Sequence, residues 1–254
     1  MAKLYRDKEW LTKELKVKSG KQVARELDVN EKTIYRWAKK FDISLTNNGN
    51  RKHTLNDSFF ENVDNQFKAY WLGFITADGC VYSGSGNSRG DTYRLQINLA
   101  KKDKELLEKF NRCLRSDYPI KETKVNGHDV VQLKINSTKL CKDLIKLGVK
   151  PRKSQKEIVP DIDKNLLRHF FRGYFDGDGS IRKNSFRMIA GEEFLEEFAD
   201  YMDIPCRIKT STDSPAKFIA IYKNSQLRKI YDKLYSKAST YLVRKHNKFT
   251  KVLP

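Results

Sequence analysis

The chain reads as an α+β protein, two copies of one mixed helix–strand unit behind a small all-helical unit. Three observations predict this. Residues 71–79, WLGFITADG, recur as FRGYFDGDG at 171–179, an offset of 100. Two segments behind the first copy alternate apolar and polar residues with the period of half-buried strands. Residues 8–41 carry apolar residues at helical spacing, with turn chemistry between the runs.

The bulk composition sets bounds on function. Of 254 residues, 51 are Lys or Arg and 32 Asp or Glu, a net charge of +19. With 11% aromatic and 33% charged residues, the chain is too aromatic for disorder and too charged for a membrane protein. No apolar run approaches the roughly 18 to 20 residues of a spanning helix. The N-terminus, MAKLYRDKEW, lacks a signal peptide's apolar stretch. The expectation is a reducing, cytoplasmic setting, bacterial or phage-encoded, with an organellar matrix as the other option. Cys80, Cys113, Cys141 and Cys206 form no CxxC pair, which removes zinc-ribbon and redox-motif readings. A pI near 9.7 points to a polyanion, nucleic acid before others. The charge is uneven. Residues 205–254 hold 12 basic residues and only two acids, Asp213 and Asp232, yet also Ile208, Phe218, Ile219, Ile221, Ile230 and Leu234. That is a folded element with a basic face, not a tail.

Taken in order, Lys8–Val17 repeats apolar residues at Trp10, Leu11, Leu15 and Val17. Val23, Ala24 and Leu27 make a second short apolar face. Asp28-Val29-Asn30 is a turn, with Asn30 as a good N-cap and Glu31 in the first helical turn. Ile34, Trp37 and Phe41 line one side of the next helix. The segment resembles a helix-turn-helix of the kind found in transposases and phage proteins, with Glu31–Phe41 as recognition helix. That resemblance puts Lys32, Thr33, Tyr35 and Arg36 toward DNA and Lys39 and Lys40 near phosphates. Residues 42–58 are polar and rich in Asn, a linker that offers Arg51, Lys52 and His53 to phosphates.

The duplication extends beyond the motif. KELLEKF (104–110) matches EEFLEEF (192–198) at an offset of 88. The slip falls at YSGSGNSRGDT (82–92), a long hairpin loop where insertions are tolerated. Each copy reads helix, strands, helix, strands, helix. In YRLQINL (93–99), Arg94, Gln96 and Asn98 share one face. In VQLKIN (131–136), Gln132, Lys134 and Asn136 do so. Arg and Lys match guanine edges, and Gln and Asn match adenine edges. Copy two is less regular, with Lys183 and Arg187 in one strand region and Arg207, Lys209 and Ser211 in the next.

Each motif is a bulky apolar helix with one glycine at its centre and an acid at its end. A mid-helix glycine costs about 1 kcal/mol against Ala. It is useful where another backbone comes very close. If Gly73 and Gly173 are that contact, Asp78 and Asp178 converge across a pseudo-two-fold axis. Two carboxylates at negative helix ends need a cation, and oxygen ligands select Mg²⁺, Mn²⁺ or Ca²⁺. A calcium loop fails the test: after DGDGS its sixth position is Ile181, not Gly, and its twelfth Arg187, not Glu. The segment GSGNSRG (84–90) fits no phosphate-loop fingerprint, and His53, His128, His169 and His246 show no HExxH spacing.

At WLGFITADG and FRGYFDGDG the sequence resembles the LAGLIDADG homing endonucleases in their single-chain, two-motif form, over about residues 59–250. The resemblance implies a pseudo-two-fold αββαββα pair with two saddle-shaped antiparallel sheets. It implies a divalent-metal-dependent double-strand cut across the minor groove, leaving 3′ overhangs. Asp78 and Asp178 then hold the metal, with the backbone carbonyls of Ala77 and Gly177. Gly73 and Gly173 take the helix-crossing position. The earlier motif acid is Asp176 in copy two but Thr76 in copy one, which makes the half-sites unequal. Lys153 and Lys245 are the candidates for the basic residues near the scissile phosphates. The cofactor expected is Mg²⁺, with Mn²⁺ as substitute and Ca²⁺ supporting binding without cleavage. The partner expected is double-stranded DNA with a long, partly asymmetric site, bound by a monomer, with no membrane.

The domain expectation is a helix-turn-helix over 1–45, a linker over 46–58, and repeats over 59–158 and 159–254. Two competing functions use the same scaffold: a catalytically silent DNA-binding regulator and an RNA-splicing maturase. Retention of both Asp78 and Asp178 speaks against the first.

Overall fold

Three short helices open the chain: α1 (Lys8–Leu15), α2 (Gly20–Glu26) and α3 (Glu31–Lys40). Each starts on a side chain that accepts a backbone N–H: Asp7 from Trp10, Ser19 from Gln22, Asn30 from Lys32. Ser19 and Gln22 form a reciprocal capping box. Asp28 takes the left-handed conformation, φ 50°, in the expected turn. Leu11, Leu15, Val23, Ala24, Ile34 and Ala38 form a core of their own.

This computed structural model describes residues 4–43, 53–84, 92–149, 157–182, 184–212 and 214–253. The first repeat runs α4 (Gln66–Asp78), β1 (Gly79–Gly84), β2 (Thr92–Ala100), α5 (Lys104–Cys113), β3 (Ile120–Val125), β4 (His128–Asn136) and α6 (Thr138–Lys146). The second runs α7 (Lys164–Asp178), β5 (Ser180–Arg182), β6 (Ser185–Ile189), α8 (Glu192–Met202), β7 (Lys209–Thr210), β8 (Lys217–Ile221) and α9 (Asn224–Tyr235). A further helix, α10 (Val243–Thr250), follows. The order αββαββα therefore occurs twice. The sheets are antiparallel with matching topology, β1-β2-β4-β3 and β5-β6-β8-β7.

One apolar core spans both repeats. It is aromatic-rich, with ring centroids 4.5 Å apart for Trp71–Phe110 and 4.3 Å for Tyr174–Phe194. Each sheet turns its apolar residues onto this core: Leu95, Ile97, Leu133 and Ile135 in the first, Phe186, Met188, Ile219 and Ile221 in the second. No helix among the described residues is long and apolar enough to cross a membrane.

Two expectations need correction. Residues 53–58 were expected to be linker, but they pack. Leu55 is fully buried, its N–H donates to Val17 O at 3.2 Å, and Asn56 N–H donates to Leu114 O at 2.8 Å. The apolar Leu55, Phe59 and Phe60 draw this stretch onto the core. His53 lies 3.4 Å from Asp117 and stacks on Tyr118, so it is engaged within the fold. Arg51 and Lys52 lie outside the described residues. The strand expected over 207–211 is shorter, holding only Lys209 and Thr210. Arg207 precedes it and lines a groove with Glu192, Glu196 and Asp200 of α8.

Candidate active site and nucleic-acid interface

The α4 helix is apolar nearly all round, and a helix of that kind is buried on every side, whereas α7 is amphipathic and buries its C-terminal half. Ala69–Thr76 of α4 and Phe170–Asp176 of α7 are buried without interruption. The two helices pack directly on each other. A Cβ built on Gly73 would sit 1.9 Å from Phe170 O, and one on Gly173 would sit 1.9 Å from Tyr70 O. The crossing is backbone on backbone, which only glycine permits. Contact persists to the helix ends, where a Cβ on Gly177 would lie 2.3 Å from Ala77 Cβ. Asp78 and Asp178 are the last residues of these converging helices, and both are exposed. The two glycines meet at the crossing, and Asp78 and Asp178 end the two helices beyond it.

Lys245 joins them. It lies on α10, is only 7% exposed, and donates to Gly177 O at 2.6 Å and Phe175 O at 2.9 Å. Phe175 O also accepts from the Gly179 N–H at 2.8 Å, while Gly177 O lies in the last turn, where carbonyls lack helical partners, and the ammonium also offsets the negative end of the dipole. Burial pulls the lysine pKa down to about 8, opposed by the carboxylates of Asp176, Asp78 and Asp178. The Gly177 carbonyl, a metal ligand by resemblance, is therefore an acceptor for Lys245. Lys153 lies outside the described residues.

Asp176 has a different task. It is 1% exposed and accepts from Tyr70 Oη at 2.9 Å, Tyr235 Oη at 2.8 Å and the Leu242 N–H at 2.7 Å. Burial raises its pKa against those hydrogen bonds. Leu242 is the N-cap of α10, so Asp176 anchors the helix that carries Lys245. Arg172, fully buried, fixes the preceding segment by donating to Thr240 O and Leu234 O, both at 2.9 Å. Its guanidinium also donates to His169 Nδ1, and burial together with that charge pulls His169 down to about 4. Sequence reasoning missed Arg172, Tyr70 and Tyr235. The available signal was Arg172 and Asp176, two charges four residues apart on a helix otherwise built for burial.

The acid pair suits a hard divalent cation: oxygen donors, exposed, at two negative helix ends. Among the described residues no group of three or more His, Cys, Asp or Glu stands together as a metal cage. Two carboxylates suit an Mg²⁺-like ion, which keeps water and takes further oxygens from a substrate phosphate.

The first sheet turns its polar residues outward as expected. Arg94 pairs with Asn136, Gln96 with Lys134 and Asn98 with Gln132, all on the face opposite the core. In the second sheet, Arg187 and Lys209 are outward; Lys183 lies outside the described residues. On α3, Lys32, Arg36, Lys39 and Lys40 are exposed and Thr33 half-buried. Tyr35 departs from the DNA-facing expectation. A Cβ on Gly20 would lie 2.6 Å from its Cε1, so the ring seats on the start of α2. Gly20 leaves the space that draws it in.

Comparison with known proteins bears on this geometry. The profile of the LAGLIDADG-like domain matches residues 65–147. The matched stretch is the first repeat, from α4 to α6. The chain's fold is that of the LAGLIDADG meganucleases. The meganuclease I-SmaMI, solved bound to uncleavable DNA, superposes with a TM-score of 0.53 at 15% identity, over 74% of this chain and 90% of that one. I-AabMI, solved bound to uncleaved DNA, gives 0.51 at 16% identity, over 74% and 90%. Among curated proteins, the chain is 26% identical over 250 residues to the replication factor C small subunit of Methanocaldococcus jannaschii, covering 91% of this chain. It is 24% identical over 136 residues to that of Thermococcus kodakarensis, covering 52% of this chain. The chain spans only 13% and 14% of the length of those two proteins.

Proposed function

We propose that this LAGLIDADG chain is a site-specific, divalent-metal-dependent endonuclease that cuts both strands of DNA across the minor groove and leaves 3′ overhangs. The observation that carries the reading is the convergence of Asp78 and Asp178 at the ends of two helices crossing at Gly73 and Gly173. Asp78 and Asp178, one from each repeat, would hold a Mg²⁺-like ion, which would supply activation of water and charge stabilisation of the leaving 3′ oxygen. Lys245 feels both carboxylates and supplies positive charge where the phosphate gains negative charge. The outward residues of the two sheets position and read the duplex, and the exposed bases of α3 add phosphate contacts beyond the core site. A single chain holds both acids, so it acts as a monomer on a partly asymmetric site.

The test is to incubate the protein with a randomised DNA library in Mg²⁺ and sequence the ends. Recurrent double-strand ends with 3′ overhangs, lost in Asp78→Asn and Asp178→Asn, are the expected result. Tight binding with no cutting in Mg²⁺ or Mn²⁺ would turn the reading toward a regulator. A preference for structured RNA over DNA would turn it toward a maturase.

A further inference from the structure

The outward faces of the two sheets differ in chemistry. We propose that the first repeat reads its half-site by hydrogen bonds to base edges, and the second by apolar contact with thymine methyl groups. The inference rests on the DNA-cutting reading and deepens it.

The first face is built from amides and bases of both strands. Gln96, Asn98, Gln132 and Asn136 stand beside Arg94 and Lys134 in three cross-strand pairs. Gln132 Nε2 donates to Asn98 Oδ1 at 2.9 Å, which orders the amides before any ligand arrives. Such side chains discriminate bases by paired donors and acceptors in the major groove.

The second face has no Asn or Gln among its described strand residues. Ile189 stands opposite Phe218, and Ala220 opposite Arg187. Ile189 is 39% exposed, and Tyr222, just past β8, is 63% exposed. The Arg187 guanidinium lies 3.9 Å over the Phe218 ring, which holds it against the sheet. Arg182 and Lys209 flank these residues on exposed strand positions, so the face sets Ile189, Phe218, Ala220 and Tyr222 around one ring-packed arginine, with further cations at its edges. That pattern complements DNA: phosphates along the rims, and on the groove floor one apolar group, the C5 methyl of thymine.

The experiment begins with selection of bound sites from randomised duplexes by the full chain in Ca²⁺. Thymine is then replaced by uracil in one half-site at a time, which removes the methyl and keeps the pairing. The half facing the second repeat should lose about threefold to fivefold in affinity per contacted methyl. The other half should not change. Ile189→Ser should abolish the uracil effect while leaving the melting temperature intact. Gln132→Ala should instead relax base preference in the half that uracil leaves unaffected. Equal uracil sensitivity in both halves, or sensitivity that survives Ile189→Ser, would overturn the inference and leave the nuclease reading standing. An Ile189→Ser variant with unchanged DNA affinity and no uracil effect in the parent would mark the patch as a protein contact. Absence of any DNA binding would overturn both readings.

Discussion

Gly73 and Gly173 face each other across one helix crossing so closely that a Cβ on either would lie 1.9 Å from a carbonyl oxygen of the opposite helix. Gly73→Ala and Gly173→Ala should each destabilise by at least about 3 kcal/mol, and Leu by more. The gain of about 1 kcal/mol in helix propensity cannot offset a clash with backbone. Urea denaturation of each variant measures this. An unchanged midpoint would mean the helices have room to separate there.

Asp78→Asn and Asp178→Asn should each abolish double-strand cutting while DNA affinity stays within about tenfold, since on the proposed reading these acids hold metal and read no bases. Paired cleavage in Mg²⁺ and gel shifts in Ca²⁺ test the split. Full cutting by either variant would remove the metal-site assignment.

Lys245 has a pKa of about 8 when folded against an ordinary 10.5. Between those pH values the unfolded chain keeps a proton that the folded chain has released, so folding stability rises with pH across the window. Below about pH 8 the buried charge carries its full penalty. The stability of the wild type minus that of Lys245→Met should therefore climb from pH 8 to 10.5, by about 3 kcal/mol in all. Denaturant titrations without metal or DNA give the curve. A flat or falling difference would contradict the buried position of the ammonium.

Asp176 should act through structure. Asp176→Ala leaves two buried phenols and a backbone N–H without an acceptor, and should cost about 2 to 5 kcal/mol. Tyr70→Phe and Tyr235→Phe should each cost about 1 kcal/mol, and the double variant should depart from additivity because one carboxylate serves both. Thermal melts of the four variants decide this.

The exposed bases of α3 test the N-terminal unit. Changing Lys32, Arg36 and Lys39 to Gln should flatten the dependence of log affinity on log salt by about 0.9 per lost phosphate contact. Preference should relax on one flank only, because the unit occurs once. An unchanged slope and flank would reassign α3 to protein contact.

The duplication, the outward amides of β2 and β4 and the paired acids were legible because each follows from local periodicity or from a repeat within the chain. The glycine crossing was legible because a costly residue recurred in two apolar helices. The role of Asp176 was not, since the hydroxyls of Tyr70 and Tyr235 lie 106 and 59 residues away. Lys245 was singled out as a basic candidate, but its seat on the Gly177 carbonyl follows from the docking of α10, which no period announces. The placement of Tyr35 failed because a helix wheel cannot show that Gly20 leaves room for a ring.

Arg244 on α10 donates to Asp103, 141 residues earlier, while Asp176 anchors the start of the same helix. The contacts that finish the centre are thus among the most distant in the chain, and loop closure makes such contacts slow to form. During synthesis the first repeat emerges with one acid, no facing backbone for Gly73 and no seat for Lys245. On the proposed nuclease reading, a half-made chain has only half of the cutting apparatus. Competence would then arrive late, when α10 closes over α7, so the interval in which an immature chain could damage DNA would be closed by topology without an inhibitor.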